Sequence, residues 1–149
     1  MKRVAALLLL LATPAVAQEE LRGTWRGGYV CGQGHTALAL TIEPRKDGTL
    51  SALFHFEAAS DNPDVPTGCF EMEGRLEPAS GRLVLERRRW LLRPPDYVMV
   101  DLDGTVAPGR DRIEGRVIGP WCTGFAVARV PGRSDAEACR TGAPLLSLR

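Results

Sequence analysis

Thr24-Trp25-Arg26-Gly27-Gly28-Tyr29-Val30-Cys31, followed by Gly32-Gln33-Gly34-His35-Thr36, decides the fold. Alternation puts Trp25, Gly27, Tyr29 and Cys31 on one face, the signature of a half-buried strand. The strand ends on a cysteine, and two glycines turn the chain back beside it.

The same period of two recurs downstream. Residues 35–43 place Leu38, Leu40 and Ile42 on one face, and 50–57 place Ala52, Phe54 and Phe56. Residues 69–77 bury Phe70, Met72 and Leu76. Strands are expected next at 82–90, at 97–107 (carrying Val98, Val100 and Leu102), at 112–119 and at 122–130. Tight turns at 44–48, 78–81 and 108–111 carry the Pro, Gly and Asp residues that such turns require. Eight short strands in hairpin sequence predict an all-β fold: an antiparallel up-and-down barrel, or a closely related sandwich. If the sheet closes, the first and last strands are antiparallel neighbours, which brings Cys31 beside Cys122 at the seam. By elimination Cys69 is left to Cys139. Ser134 and Glu137 have the spacing of a capping box, so a short C-terminal helix with a tail is expected over 134–149.

The chain opens with Met1-Lys2-Arg3, an apolar run over 4–12 and Ala15-Val16-Ala17. That is the pattern of a secretory signal peptide over 1–17, cut before Gln18. The run is too short for a permanent membrane span, and no cysteine follows the cut to take a lipid. A periplasmic or secreted monomer is expected, with the barrel domain over 18–133. Export to an oxidising compartment favours disulfides for the four cysteines, each bridge worth about 2–4 kcal/mol. No Cys-x-x-Cys pair is present, and no metal or cofactor is expected. The formal charge of +1 becomes −1 without Lys2 and Arg3, which gives no electrostatic case for nucleic acid or an anionic membrane.

The strand directions sort the loops into two ends. One end has only the tight turns; the other gathers 32–35, 58–68, 91–96 and the Pro120-Trp121 corner. Function on a rigid scaffold favours the longer loops, so the candidate binding residues are Gln33, His35, Asp61, Asn62, Asp64, Trp90, Arg93, Tyr97 and Trp121. His55 alternates with Phe54 and Phe56 and is expected to face water. The carboxylate pairs Glu71/Glu73 and Asp101/Asp103 each share a strand face. Two carboxylates can run glycoside hydrolysis, but flanking apolar alternation marks such pairs as the wet face. Arg87 and Arg89 continue the face of Leu83 and Leu85. They either enter the mouth, where they would suit an anion, or are turned out by a bulge.

The opening Trp25-x-Gly27-x-Tyr29-x-Cys31-x-Gln33-Gly34-x-Thr36, with Trp90…Pro94-Pro95-x-Tyr97 and Cys122…Phe125, resembles a group of small exported bacterial β-domains. That resemblance implies no activity. Gly23-Thr24-Trp25 resembles the start of lipocalin-like barrels, in which the tryptophan plugs the closed end. In size, export and disulfides the chain is also similar to periplasmic barrel inhibitors of lysozyme or proteases, although no inhibitory loop motif is matched. The expected function is non-enzymatic: binding or inhibiting an envelope or secreted protein through the loop-rich end. The alternative is a small-molecule carrier whose interior is lined by Phe54, Phe56, Phe70 and Met72, with Gly27, Gly74 and Gly115 leaving room.

Overall fold

The computed structural model describes residues 14–132 and Cys139. A short helix, α1 (Pro14–Glu19), leads into eight strands: β1 (Gly23–Cys31), β2 (Gly34–Pro44), β3 (Leu50–Ala58), β4 (Gly68–Glu77), β5 (Arg82–Leu92), β6 (Asp101–Val106), β7 (Arg112–Ile118) and β8 (Gly124–Val130). They form a closed barrel in sequence order, every neighbour antiparallel. The sandwich alternative is thereby set aside.

Closure is made by β1 and β8, paired from Thr24↔Val130 to Tyr29↔Phe125. Beyond the last pair, Thr123 N–H donates to Val30 O at 2.9 Å and Cys31 is bonded to Cys122. The disulfide therefore locks the seam, as the strand count requires. Cys69 is bonded to Cys139. Cys139 is helical and buried; the rest of the helix and tail expected over 134–149 lies outside the described residues.

The base of the barrel is solid. Leu21, Trp25, Leu40, Ile42, Leu50, Leu83, Leu85 and Ile113 are all at most 1 % exposed. Trp25 plugs this end, donating from Nε1 to Leu21 O at 3.1 Å, and the Arg129 guanidinium lies 4.2 Å from its ring centroid. Arg129 also donates to the carbonyls of Arg22 (2.8 Å) and Glu20, tying the last strand to the segment after α1. Such a cation–π contact with charge-assisted hydrogen bonds is a strong local clamp.

The glycines expected to leave room do the opposite. A Cβ on Gly27 would stand 2.0 Å from Ala126 O, and one on Gly74 1.8 Å from Val84 O; Gly115 is similarly crowded by Asp103 O. Neighbouring backbone fills these places, because a small closed sheet must coil sharply.

The strand patterns differ from expectation at two places. His55 is buried, not solvated. It pairs with Cys69 across β3 and β4, where Cys69 is bonded to the buried Cys139. Strand β6 begins at Asp101 rather than at 97, and Val98, expected on the core face, is exposed. Pro94 and Pro95 have no N–H to extend the ladder, and Asp96 takes φ 64°. Of the two alternatives for the arginine run the structure has the bulge: β5 is bulged against β4 around Arg88 and Leu91. The bulges turn Trp90 toward Phe70 while Arg87, Arg88 and Arg89 all stay exposed, so no arginine of this run enters the mouth.

Only Arg82–Leu85 of β5 pairs with β6. Above Leu85 the two strands part, and the wall is split toward the loop-rich end. Arg87 marks the split, its N–H donating to Asp101 Oδ1 at 2.7 Å.

Candidate ligand-binding site

The split and the long loops leave a cavity of about 340 Å³ at the barrel mouth. Its floor is Phe54, Phe56 and Phe70, all from the inward face of β3 and β4. Tyr29 and Cys31 of β1 form one wall, and Tyr97, Val98 and Val100 form the wall across the split. Gly32, Gln33, Asp96, Pro120, Trp121 and Cys122 make the rim.

Six aromatic side chains make one continuous cluster here. Phe54 stacks on Phe70 (4.6 Å between centroids) and Phe56 on Tyr97 (5.4 Å). Tyr29 meets Phe54 edge-on at 5.1 Å, and Trp90 meets Phe70 edge-on at 5.2 Å. Such pairs fix ring orientation beyond what burial alone provides. The floor is therefore rigid, and Tyr97, from the irregular segment, is held against it by its own ring contact.

Polar groups are few and placed. Gln33 Nε2 donates to Tyr29 Oη at 3.0 Å and to Thr36 Oγ1 at 3.1 Å, folding the amide over the edge of the cavity. Burial raises the Tyr29 phenol pKa well above its ordinary value, so this hydroxyl stays a neutral donor and acceptor. Burial also raises that of Tyr97.

The rim carries two residues with left-handed backbone, Asp96 (φ 64°) and Trp121 (φ 59°). Asp tolerates that region; a bulky tryptophan does so at a cost. Trp121 is also 87 % exposed, so neither packing nor backbone preference explains it. Strain of this kind concentrates at functional positions.

The nine sequence-selected residues divide. Gln33, Tyr97 and Trp121 line the cavity, and Trp90 braces its floor from behind. Asn62 positions the rim: its Nδ2 donates to Gln33 O at 2.7 Å and His35 O at 2.9 Å, pinning the 32–35 turn to the 58–68 loop. His35 and Asp61 come together, Nδ1 to Oδ1 at 2.8 Å, but on the outside of the wall. A Cβ on Gly28 of β1 would stand 2.5 Å from His35 Nε2. The hydrogen bond from His35 holds the Asp61 carboxyl below its ordinary range. Arg93 lies 6.0 Å from the Trp90 ring centroid, also outside the cavity, and Asp64 is exposed and does not line it. Sequence reasoning missed Asp96, Val98 and Val100. The Pro94-Pro95-Asp96 run signalled an interrupted strand and was the clue to all three.

The carboxylate pairs lie on the outer wall and each member has an arginine: Glu71 with Arg89 (2.8 Å), Glu73 with Arg45 (3.1 Å), Asp101 with Arg87 (3.4 Å) and Asp103 with Arg82 (3.0 Å). Among the described residues, no three His, Cys, Asp or Glu side chains cluster to hold a metal, and no helix is long and apolar enough to cross a membrane.

The chain matches no protein-family model and no curated protein.

Proposed function

We propose that the protein is an exported, monomeric barrel that binds a small, largely apolar molecule in its mouth cavity and does no covalent chemistry on it. The observation that carries this reading is the contrast between the two ends. The base is packed solid around Trp25, whereas the mouth keeps a cavity of about 340 Å³ over an aromatic floor. A ligand site of about 300–1,000 Å³, apolar with a few placed polar groups, is the usual form. The Trp25–Arg129 plug is in keeping with the resemblance of Gly23-Thr24-Trp25 to lipocalin-like barrels.

The pairing of all four cysteines supports export and removal of residues 1–17. In the full chain Ala17 and Gln18 are buried, with Ala17 O accepting from Arg110 and Gln18 Nε2 donating to Gly48 O. Cleavage between them would therefore precede closure of the barrel.

Phenylnaphthylamine, a neutral fluorescent probe, tests the reading. It is expected to bind the mature protein saturably, one to one. Val100→Phe, which fills the cavity, and Val98→Trp, which caps it from an exposed position, are both expected to abolish that signal. Unchanged binding in both variants would put the probe elsewhere and overturn the proposal.

A second reading is supported by the rim. Trp121 (87 % exposed) and Val98 (57 %) present apolar surface at the mouth, which suits docking of an envelope or secreted protein. A partner held by the parent protein and released by Trp121→Ala, with probe binding intact, would favour this reading.

A further inference from the structure

The charge around the mouth cavity points to a class of ligand. The chain has nineteen lysines and arginines, yet among the described residues no lysine, arginine or histidine lines the cavity. Asp96 on the rim is the one carboxylate among the described lining residues. The nearest basic run, Arg87 to Arg89, is turned outward by the β5 bulge and engaged by Asp101, Glu86 and Glu71. Among the described residues, no ion pair joins Asp96 to a basic side chain.

Six of the lining residues are aromatic: Tyr29, Phe54, Phe56, Phe70, Tyr97 and Trp121. Aromatic rings attract cations through their quadrupole, most strongly where water is displaced. An anion entering the cavity would meet π-electron density and a carboxylate, with no positive partner; a cation would meet both favourably. The left-handed backbone at Asp96 and Trp121 sets the carboxylate and the exposed indole on the rim of the same cavity.

Resting on the small-ligand reading above, we infer that the mouth cavity selects an organic cation: an alkylated ammonium or protonated amine carried on an apolar or aromatic body. The body occupies the space over Phe54, Phe56 and Phe70, and the positive group lies between Asp96, Tyr97 and Trp121.

The test uses three probes on the mature protein, followed by calorimetry or by quenching of tryptophan fluorescence: benzyltrimethylammonium, benzenesulfonate and neutral phenylnaphthylamine. The cation is expected to bind at least about tenfold tighter than the anion. Asp96→Asn, at an exposed rim position, is expected to weaken cation binding about threefold to tenfold relative to binding of the neutral probe by the same variant. Tyr97→Leu is expected to weaken the cation further. Anion binding equal to cation binding, or cation affinity unmoved by Asp96→Asn, would overturn the cation assignment while neutral-probe binding kept the cavity as a ligand site. Failure of all three probes to bind would remove both.

Discussion

Trp121 combines two features that rarely coincide, a left-handed backbone and an almost fully exposed indole. Replacing it with glycine removes the backbone penalty and loses little buried surface, so Trp121→Gly should raise stability by about 1 kcal/mol. It should at the same time weaken ligand binding at the mouth. Chemical denaturation and probe titration on the same variant check both halves. A loss of stability would mean that the indole is a packing residue and not part of a site. At this scale the sequence was partly legible. Trp121 and Gln33 stood out because a Pro-Trp corner and a Gly-Gln-Gly turn are hard to read as core. Asp96 did not, because its place on the rim comes from a backbone angle and from the early end of the β5–β6 pairing, neither of which follows from residue type alone. His55 was misread for a related reason: alternation gives the face of a strand but not whether that face is covered, and His55 is buried beside Cys69.

Among the elements, the barrel depends on close approach of strands at glycine. Gly74 of β4 is paired with Leu85 of β5, and a Cβ there would collide with Val84 O. Gly74→Ala should cost about 1–3 kcal/mol, the range for overpacking a filled interior. Thermal or urea unfolding checks this; a neutral result would mean that the β4–β5 pair can move apart without penalty. The strand count, order and seam were legible because alternation and turn chemistry agreed along nearly the whole chain. The early end of β5–β6 pairing was not, since Tyr97, Val98 and Val100 keep strand-like composition while Pro94 and Pro95 deny them a ladder. The three small residues expected to open the interior instead mark where strands touch, because glycine reads the same in sequence for a void and for a contact.

For the whole molecule, the outer wall is a mesh of arginine–carboxylate pairs whose strength depends on pH. Asp103 has its pKa lowered from the ordinary 3.8, chiefly by its hydrogen bond to Arg82; Asp61 is lowered by His35 and Asp47 by Thr49. A carboxylate with a lowered folded-state value stabilises the fold above its ordinary pKa, and that stabilisation is lost as pH falls through the folded value. Unfolding temperature should therefore decline below about pH 4. Asp103→Asn should make that decline shallower, which a series of melts across acidic pH would show. An unchanged slope would assign acid sensitivity to other groups. These exposed pairs tune stability and do not define the fold, which rests on the packed base, the closed sheet and two disulfides.

One end of the barrel is filled, and the other is proposed to hold a small molecule. Nuclear magnetic resonance of methyl and aromatic groups during titration with phenylnaphthylamine tests it most directly. Saturable shifts are expected at Phe54, Phe56, Tyr97, Val98, Val100 and the Trp121 indole, with Leu40, Leu83 and Ile113 in the base unmoved. Shifts confined to the outer wall, or spread through the base, would contradict it.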